Sequence, residues 1–319
     1  MPEYEYGLTQ PAPDTFAFLR RPGWGWSNSG LIADGEDAVL IDTAYTPALA
    51  AAMLAEMAAA RPGTNISRCV LTHGNGDHSF GAVALPGSVE LVTSRACADS
   101  LETEVSPAAM TSIMSVGPEP LRSYMVEHFG CFDYTEAALP KAATTFEGRL
   151  ELTVGSRRIE LIEVGPAHTE GDVAVYVPDA GVLYTGDIVF VGDAPIAWAS
   201  ARGVLEACHT LAQTGARVLV PGHGPIVDVS YLDHLCRYFE TLLEHAERLG
   251  AAGVSYHEAA ARIPLGAHPD QGLAERVVIS TAAAYRDLGF PVEDDVVGVL
   301  SHMAALADGD RTNAGSTDS

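Results

Sequence analysis

The sequence is short of positive charge. Eighteen Lys and Arg residues stand against 42 Asp and Glu, a formal net charge of −24 over 319 residues. Phosphates and anionic membrane surfaces would be repelled, so nucleic acid and membrane are excluded as partners. The charge fits an acidic surface that keeps a protein dispersed. Long apolar runs are missing too, and none approaches the length of a bilayer span. Met1 to Glu5 has neither the basic nor the apolar region of a secretory signal. Cysteine is scarce: Cys69, Cys97, Cys131, Cys208 and Cys236 are odd in number, widely spread and never arranged as Cys-x-x-Cys. They read as reduced, mostly buried thiols of a cytoplasmic protein. What is abundant is apolar surface. Hydrophobic residues make up 47% of the chain, ample for a sizeable core in one large domain or two small ones.

Chemistry concentrates in Thr72-His73-Gly74-Asn75-Gly76-Asp77-His78-Ser79-Phe80, which follows the apolar strand end Cys69-Val70-Leu71. A solvated turn would account for Asn-Gly-Asp but not for the two flanking histidines. Imidazole and carboxylate are the main nitrogen and oxygen ligands of zinc, iron and manganese. The interleaved glycines allow a turn sharp enough for several side chains to converge. Three later segments repeat the arrangement of His or Asp just after an apolar strand, beside Gly or Pro. They carry His168 after Val164-Gly165-Pro166-Ala167, Asp187 after Leu183-Tyr184-Thr185-Gly186, and His223 after Val218-Leu219-Val220-Pro221-Gly222. Ligands on rigid strand ends are how a metal site is held open for a substrate.

The order and spacing of His73, Asn75, Asp77, His78, His168, Asp187 and His223, with Leu40-Ile41-Asp42-Thr43 upstream, resemble the signature of the metallo-β-lactamase superfamily across residues 16–228. One position departs: the family pattern is His-x-His-x-Asp-His, and residue 75 here is Asn. The phrases Gly25-Trp26-Ser27-Asn28-Ser29-Gly30, Val164 to Thr169 and Gly222-His223-Gly224-Pro225 are similar to the branch that includes the cyclases of bacterial aromatic polyketide pathways, and to uncharacterised hydrolases. The resemblance implies an α/β fold, the four-layer αββα sandwich, with the site at one edge of its two sheets. It also implies two metals, one on His73, Asn75 and His168, the other on Asp77, His78 and His223, with Asp187 bridging. Zinc is the expected ion, one or two per chain, with iron or manganese as alternatives because a neutral amide at 75 weakens the first position. Asp42 is expected to orient a ligand histidine.

The implied reaction is hydrolysis of a small or medium organic ester, thioester, lactone or amide, in which a metal-bound hydroxide attacks a polarised carbonyl. Asp77 and Asp187 would be the catalytic residues, orienting the nucleophile as well as binding metal. Three alternatives stay open. A polyketide-type cyclase or thioesterase would use the metals as Lewis acids. A mononuclear non-haem iron oxygenase would need only His73, His168 and Asp187. A metal-binding scaffold would have lost its chemistry with the second motif histidine.

Along the chain, Thr15 to Leu19 is an apolar edge-strand candidate, and Trp24 and Trp26 sit in a loop that either borders the site or caps the core. Residues 105–140 scatter Met110, Met114, Met125, Phe129, Phe132 and Tyr134 among polar residues. They read as a helical insertion over the site, either an adaptable pocket for an apolar substrate or a helix pair packed on the core. The domain expectation is a catalytic domain over 1–228, a C-terminal helical extension over 229–306 packed on it, and a small, polar, disordered tail over 307–319. Arg237 and Arg248 are candidates to meet an anionic conjugate, though solvated helix charges explain them as well. His209, His234, His245, His257, His268 and His302 lie outside any ligand pattern and read as surface or structural. The expected partner is a small-molecule substrate; a homodimer is left open.

Overall fold

The computed structural model describes residues 4–264 and 272–315; residues 1–3, 265–271 (with His268) and 316–319 lie outside it. The first sheet runs β1 (Gly7–Ala12), β2 (Thr15–Leu19), β3 (Ser29–Asp34), β4 (Asp37–Ile41), β5 (Asn65–Val70), β6 (Glu90–Ser94) and β7 (Thr144–Phe146) in that spatial order. Its first four strands are an antiparallel meander and the rest join in parallel. The second sheet is β8 (Arg149–Val154), β9 (Arg157–Glu163), β10 (Val173–Val177), β11 (Val182–Phe190), β12 (Val218–His223) and β13 (Val227–Asp228), antiparallel except for the β11–β12 pair. The helices are α1 (Pro47–Ala60), α2 (Gly76–Ser79), α3 (Arg95–Ser100), α4 (Pro107–Val116), α5 (Leu121–Phe129), α6 (Ala201–Ala212), α7 (Tyr231–Ala251), α8 (Tyr256–Ala260), α9 (Val277–Leu288) and α10 (Val296–Gly315).

Residue alternation along the central strands explains the layering. Successive side chains of a strand point to opposite faces, so a strand apolar at every position must be covered on both. On β4, Val39 and Ile41 enter the core between the sheets, while Ala38 and Leu40 join Met53 and Met57 of α1 on the outer face. On β10, Val173, Val175 and Val177 face the same inter-sheet core, and Ala174 and Tyr176 join the cluster that holds α6, α7 and α9. The result is the αββα sandwich that the resemblance implied, with the C-terminal helices added to the layer outside the second sheet. Local signals agree. Thr46 caps α1 by accepting from Leu49 N, with Pro47 in the first turn, and Ser200 caps α6 by accepting from Gly203 N.

Three expectations change. β2 is not an edge strand: it lies between β1 and β3. The edge is β1, whose Gln10 and Pro11 hide it from an apolar-run reading; proline, which has no N–H to donate, belongs on an edge. The 105–140 segment is helical only over α4 and α5 among its described residues. α10 continues to Gly315, through residues whose composition reads as tail.

Leu40, fully buried on β4, tests the outer layer. Leu40→Ala should lower unfolding free energy by about 3 kcal/mol in urea titrations while leaving metal content unchanged.

Candidate metal centre

The ends of β4, β5 and β12, the second half of β11 and the loop after β9 reach one edge of the sandwich, and each brings one part of the site. Asp42, just past β4, takes a left-handed backbone conformation (φ 57°), one that Asp tolerates better than most residues. Its carboxylate accepts from Thr72 N and Thr72 Oγ1, both at 2.8 Å, and lies 2.8 Å from His78 Nδ1. These contacts set three tautomers in turn. A carboxylate only accepts, so His78 Nδ1 carries the hydrogen and Nε2 is left as a ligand atom. Thr72 has given its hydroxyl hydrogen to Asp42, so at 3.0 Å it accepts from His73 Nδ1. His168 Nδ1 donates to Ile196 O at 2.9 Å. Each of the three rings therefore presents Nε2 to the site.

Asp187 stands in the middle. Its Oδ1 is 3.1 Å from His78 Nε2, and its Oδ2 is 3.4 Å from His223 Nε2, 3.5 Å from His168 Nε2 and 3.8 Å from His73 Nε2. Asp77 Oδ2 lies 3.3 Å from His223 Nε2. The ligand atoms fall into two buried or half-buried triads, His73–His168–Asp187 and Asp77–His78–His223, each within 4.8 Å. Asn75 joins the first: its Nδ2 donates to Glu104 Oε2 at 3.2 Å, which turns its Oδ1 toward His168 Nε2 at 2.8 Å. Two lone pairs facing one another at that distance call for a cation. His73 Nε2 is buried without a hydrogen-bond partner, and His78 Nε2 and Asp187 Oδ1 have none but each other, a costly state for polar atoms unless something coordinates them. The donor set, imidazole nitrogens with carboxylate and amide oxygens, suits zinc, iron or manganese. The fold thus brings together all seven residues singled out in the sequence.

The charges support the same reading. Burial, with the neighbouring rings of His78 and His168, holds His73 well below the usual imidazole range. Burial also opposes charge on His78 and His223, but the carboxylates around them prevail. Asp187, Asp42 and Asp77 pull His78 well up, and Asp187 and Asp77 raise His223 to about 9. Burial would raise Asp187, yet His223 and His78 hold it well below the carboxylate range. The cluster draws positive charge to itself.

Backbone packing explains the glycines beside the ligands. A Cβ on Gly222 would lie 1.9 Å from Asp187 Oδ1, and one on Gly186 (φ 52°) would meet the Thr72 side chain at 2.8 Å. The Gly25 to Gly30 phrase also has a part here. Asn28 Nδ2 donates to Pro221 O and Gly224 O at 2.9 and 2.8 Å, and Ser27 Oγ donates to Asp77 O at 2.5 Å, so this loop fastens both sides of the second triad.

A cavity of about 500 Å³ opens on the centre. Asn75, Asp77, His168, Asp187 and His223 form its floor, and Trp24, Met110, Met125 and Phe129 line one wall. Val296, Leu300 and Met303 of α10 line another. Of the two tryptophans, Trp24 borders the cavity, while Trp26 packs on Phe132.

Glu104 and Arg276 also face the cavity, and nothing in the spacing of the sequence marks them. The arginines that line it are Arg276 and Arg286; Arg237 and Arg248 sit on α7 and do not. His257 and His302, which lie outside any ligand pattern in the sequence, come within 4.8 Å of each other and of Asp294. Their rings stack in parallel at 3.9 Å and 1°. Stacked rings direct their lone pairs along parallel lines, so this pair is a packing contact. His209 lies on α6, and His234 and His245 on α7, away from the centre.

The model of the metallo-β-lactamase superfamily matches residues 22–223. The chain is 24% identical over 164 residues to the 2,4-dinitroanisole O-demethylase subunit alpha of Nocardioides sp. (strain JS1661), covering 51% of this chain and 41% of that one. It is 36% identical over 78 residues to a hydroxyacylglutathione hydrolase of Brucella ovis, 23% of this chain and 28% of that one. It thus spans less than half the length of these curated relatives. Among solved structures, the stereoselective inverting sec-alkylsulfatase Pisa1 from Pseudomonas sp. superposes with a TM-score of 0.68 at 20% identity, over 90% of this chain and 51% of that one. A metallo-β-lactamase family protein from Thermus thermophilus superposes with a TM-score of 0.63 at 19% identity, over 87% of this chain and 94% of that one. At these identities the structural likeness is one of fold.

Gly222→Ala should cost the protein bound metal, read as metal per chain by elemental analysis. Gly87→Ala, where an added Cβ meets nothing within 4 Å, should keep the wild-type content.

Proposed function

Because the chain belongs to the metallo-β-lactamase superfamily, we propose that it is a metal-dependent hydrolase of a small or medium organic ester, thioester, lactone or amide. The observation that carries this reading is the pair of triads joined by Asp187. His73, Asn75 and His168 would hold one ion and Asp77, His78 and His223 the other, with Asp187 between them. Zinc is the expected metal, and iron or manganese are the alternatives. Ions held there supply a water of lowered pKa and a Lewis acid for the substrate carbonyl.

The remaining work belongs to the chain. Asp77 is the least buried carboxylate of the two triads, its side chain 15% exposed, and it orients the attacking water from the cavity side. Asp187 does so from beneath. Asp42 and Thr72 keep the imidazoles in the ligand tautomer. Glu104 holds the Asn75 amide with its oxygen inward, which partly offsets the missing imidazole at that position. Met110, Met125 and Phe129 exclude water and take up the apolar body of the substrate.

The same apolar wall also favours a second reading, a polyketide-type cyclase or thioesterase acting on a larger apolar chain, with the metals as Lewis acids only. The iron oxygenase reading uses only the first triad and leaves Asp77, His78 and His223 without a role.

Protein purified without added metal should carry about two zinc ions per chain. A chelator should abolish cleavage of an ester, thioester and lactone panel, and zinc should restore it. Asp77→Asn should lower kcat by about 100-fold or more. A metal-loaded protein that cleaves no member of the panel would end the proposal, and one iron per chain with oxygen uptake would move it to the oxygenase.

A further inference from the structure

The cavity wall carries a charge that the metal centre does not use. Arg276 precedes α9 and is only 1% exposed, yet it lines the cavity. Its guanidinium lies 3.9 Å from the centroid of the Trp24 ring and 5.6 Å from that of Phe190. Trp24 cannot swing away, because its Nε1 donates to Tyr124 OH at 2.7 Å, and that hydroxyl donates to Glu275 Oε1 at 2.5 Å. The guanidinium is therefore fixed against a rigid aromatic plate.

Among the described residues its five N–H donors find few acceptors. Nη1 makes one long bond, 3.4 Å, to Ala194 O, and Nε is buried without a partner. Among the described residues no carboxylate pairs with it. Glu275 is taken by Tyr124, and Asp193 accepts from Gly23 N at 2.9 Å; they act on it only from a distance, as Asp187 does. Burial accordingly pulls the group below the usual guanidinium range. A buried, unpaired arginine is costly to the fold. In a chain of net charge −24 it is also an uncommon cation.

Its place relative to the metal centre is set by one ring. Phe190 faces Arg276 on one side and stacks on the His223 imidazole, 5.0 Å away and 4° from parallel. A substrate whose carbonyl lies over the metals can run along the Met110–Met125–Phe129 wall and reach the guanidinium one ring beyond. Planar, forked donors match the two oxygens of a carboxylate.

We propose that Arg276, fixed against Trp24 at the cavity wall, is a subsite for a terminal carboxylate, so that the substrates are acyl compounds with an apolar body and an anionic far end. This inference rests on the proposed hydrolase reading for the acyl group but not for the anion.

Two measurements on the metal-loaded full chain test it. The first compares 4-nitrophenyl hydrogen esters of glutaric, adipic and suberic acid with their methyl-capped counterparts. At least one acid-tipped member should show a kcat/KM ten-fold or more above its neutral partner, despite the acidic protein. Equal or lower values throughout would overturn the subsite. The second follows adipate binding by tryptophan fluorescence, with no turnover required, in wild type, Arg276→Met and Arg276→Lys. Arg276→Lys keeps the charge and so guards against misfolding. A Kd raised at least ten-fold in Arg276→Met, and raised less in Arg276→Lys, supports the subsite. A Kd unchanged in Arg276→Lys and Arg276→Met alike places adipate on the metals and overturns it, as does the absence of saturable binding to wild type. Adipate binding weakened in Arg276→Met and less so in Arg276→Lys, together with no ester cleavage by wild type, would keep the subsite and sink the hydrolase reading instead; binding weakened as much in Arg276→Lys as in Arg276→Met would overturn the subsite.

Discussion

A carboxylate buried among four imidazoles is the constraint on which the rest of the site depends. Asp187 and His223 lie on strands of the second sheet and His168 on the loop between two of them, while His73 and His78 follow a strand of the first. Removing such a carboxylate from water is expensive, and only close positive charge or metal makes it tolerable. The two sheets must therefore present their ends to the same edge, in fixed register. Gly186 and Gly222 are what this proximity requires, since a Cβ at either would occupy the space where the sheets' ligands meet.

Around that centre the chain divides labour between a polar floor and apolar walls. The floor sits on β11 and β12 and on short connections that leave β5 and β9, and its histidines are oriented by neighbours that cannot move far: Asp42, Thr72 and the Ile196 carbonyl. Stiff supports with hydrogen-bonded ligands hold metal geometry closely. The walls come instead from α4, α5 and α10 and the Trp24 loop, segments outside the two sheets. Methionine and aromatic side chains there offer bulk with little directional demand. The floor can stay constant while the walls set what enters.

Asn75 shows how a local departure is absorbed. An amide can present either oxygen or nitrogen to the site, and nothing in its own geometry chooses. Glu104 makes the choice by accepting from Nδ2, which leaves Oδ1 facing His168. Burial raises the Glu104 carboxyl above its ordinary range, with hydrogen bonds from Val105 N and Asn75 acting against that rise. The pair is a unit, and residue 75 has no defined role without residue 104.

Ligand identity was legible in the sequence because it is a local matter. His73 to His78 lie within six residues, and His168, Asp187 and His223 each stand just after an apolar run beside Gly or Pro, a pattern that needs no knowledge of distant partners. The sandwich was legible only through the family resemblance, because an apolar run such as Val173 to Val177 requires cover on both faces but does not say what provides it. β1 escaped because an edge strand need not be apolar. Glu104 and Arg276 escaped because their meaning is purely spatial. A glutamate in the turn between two helices and an arginine before a helix are ordinary surface residues by composition. Only the folding of the insertion and the C-terminal helices over the sheet edge turns one toward Asn75 and buries the other against Trp24. Residues close in sequence determined the centre, and contacts between distant segments decided the pocket.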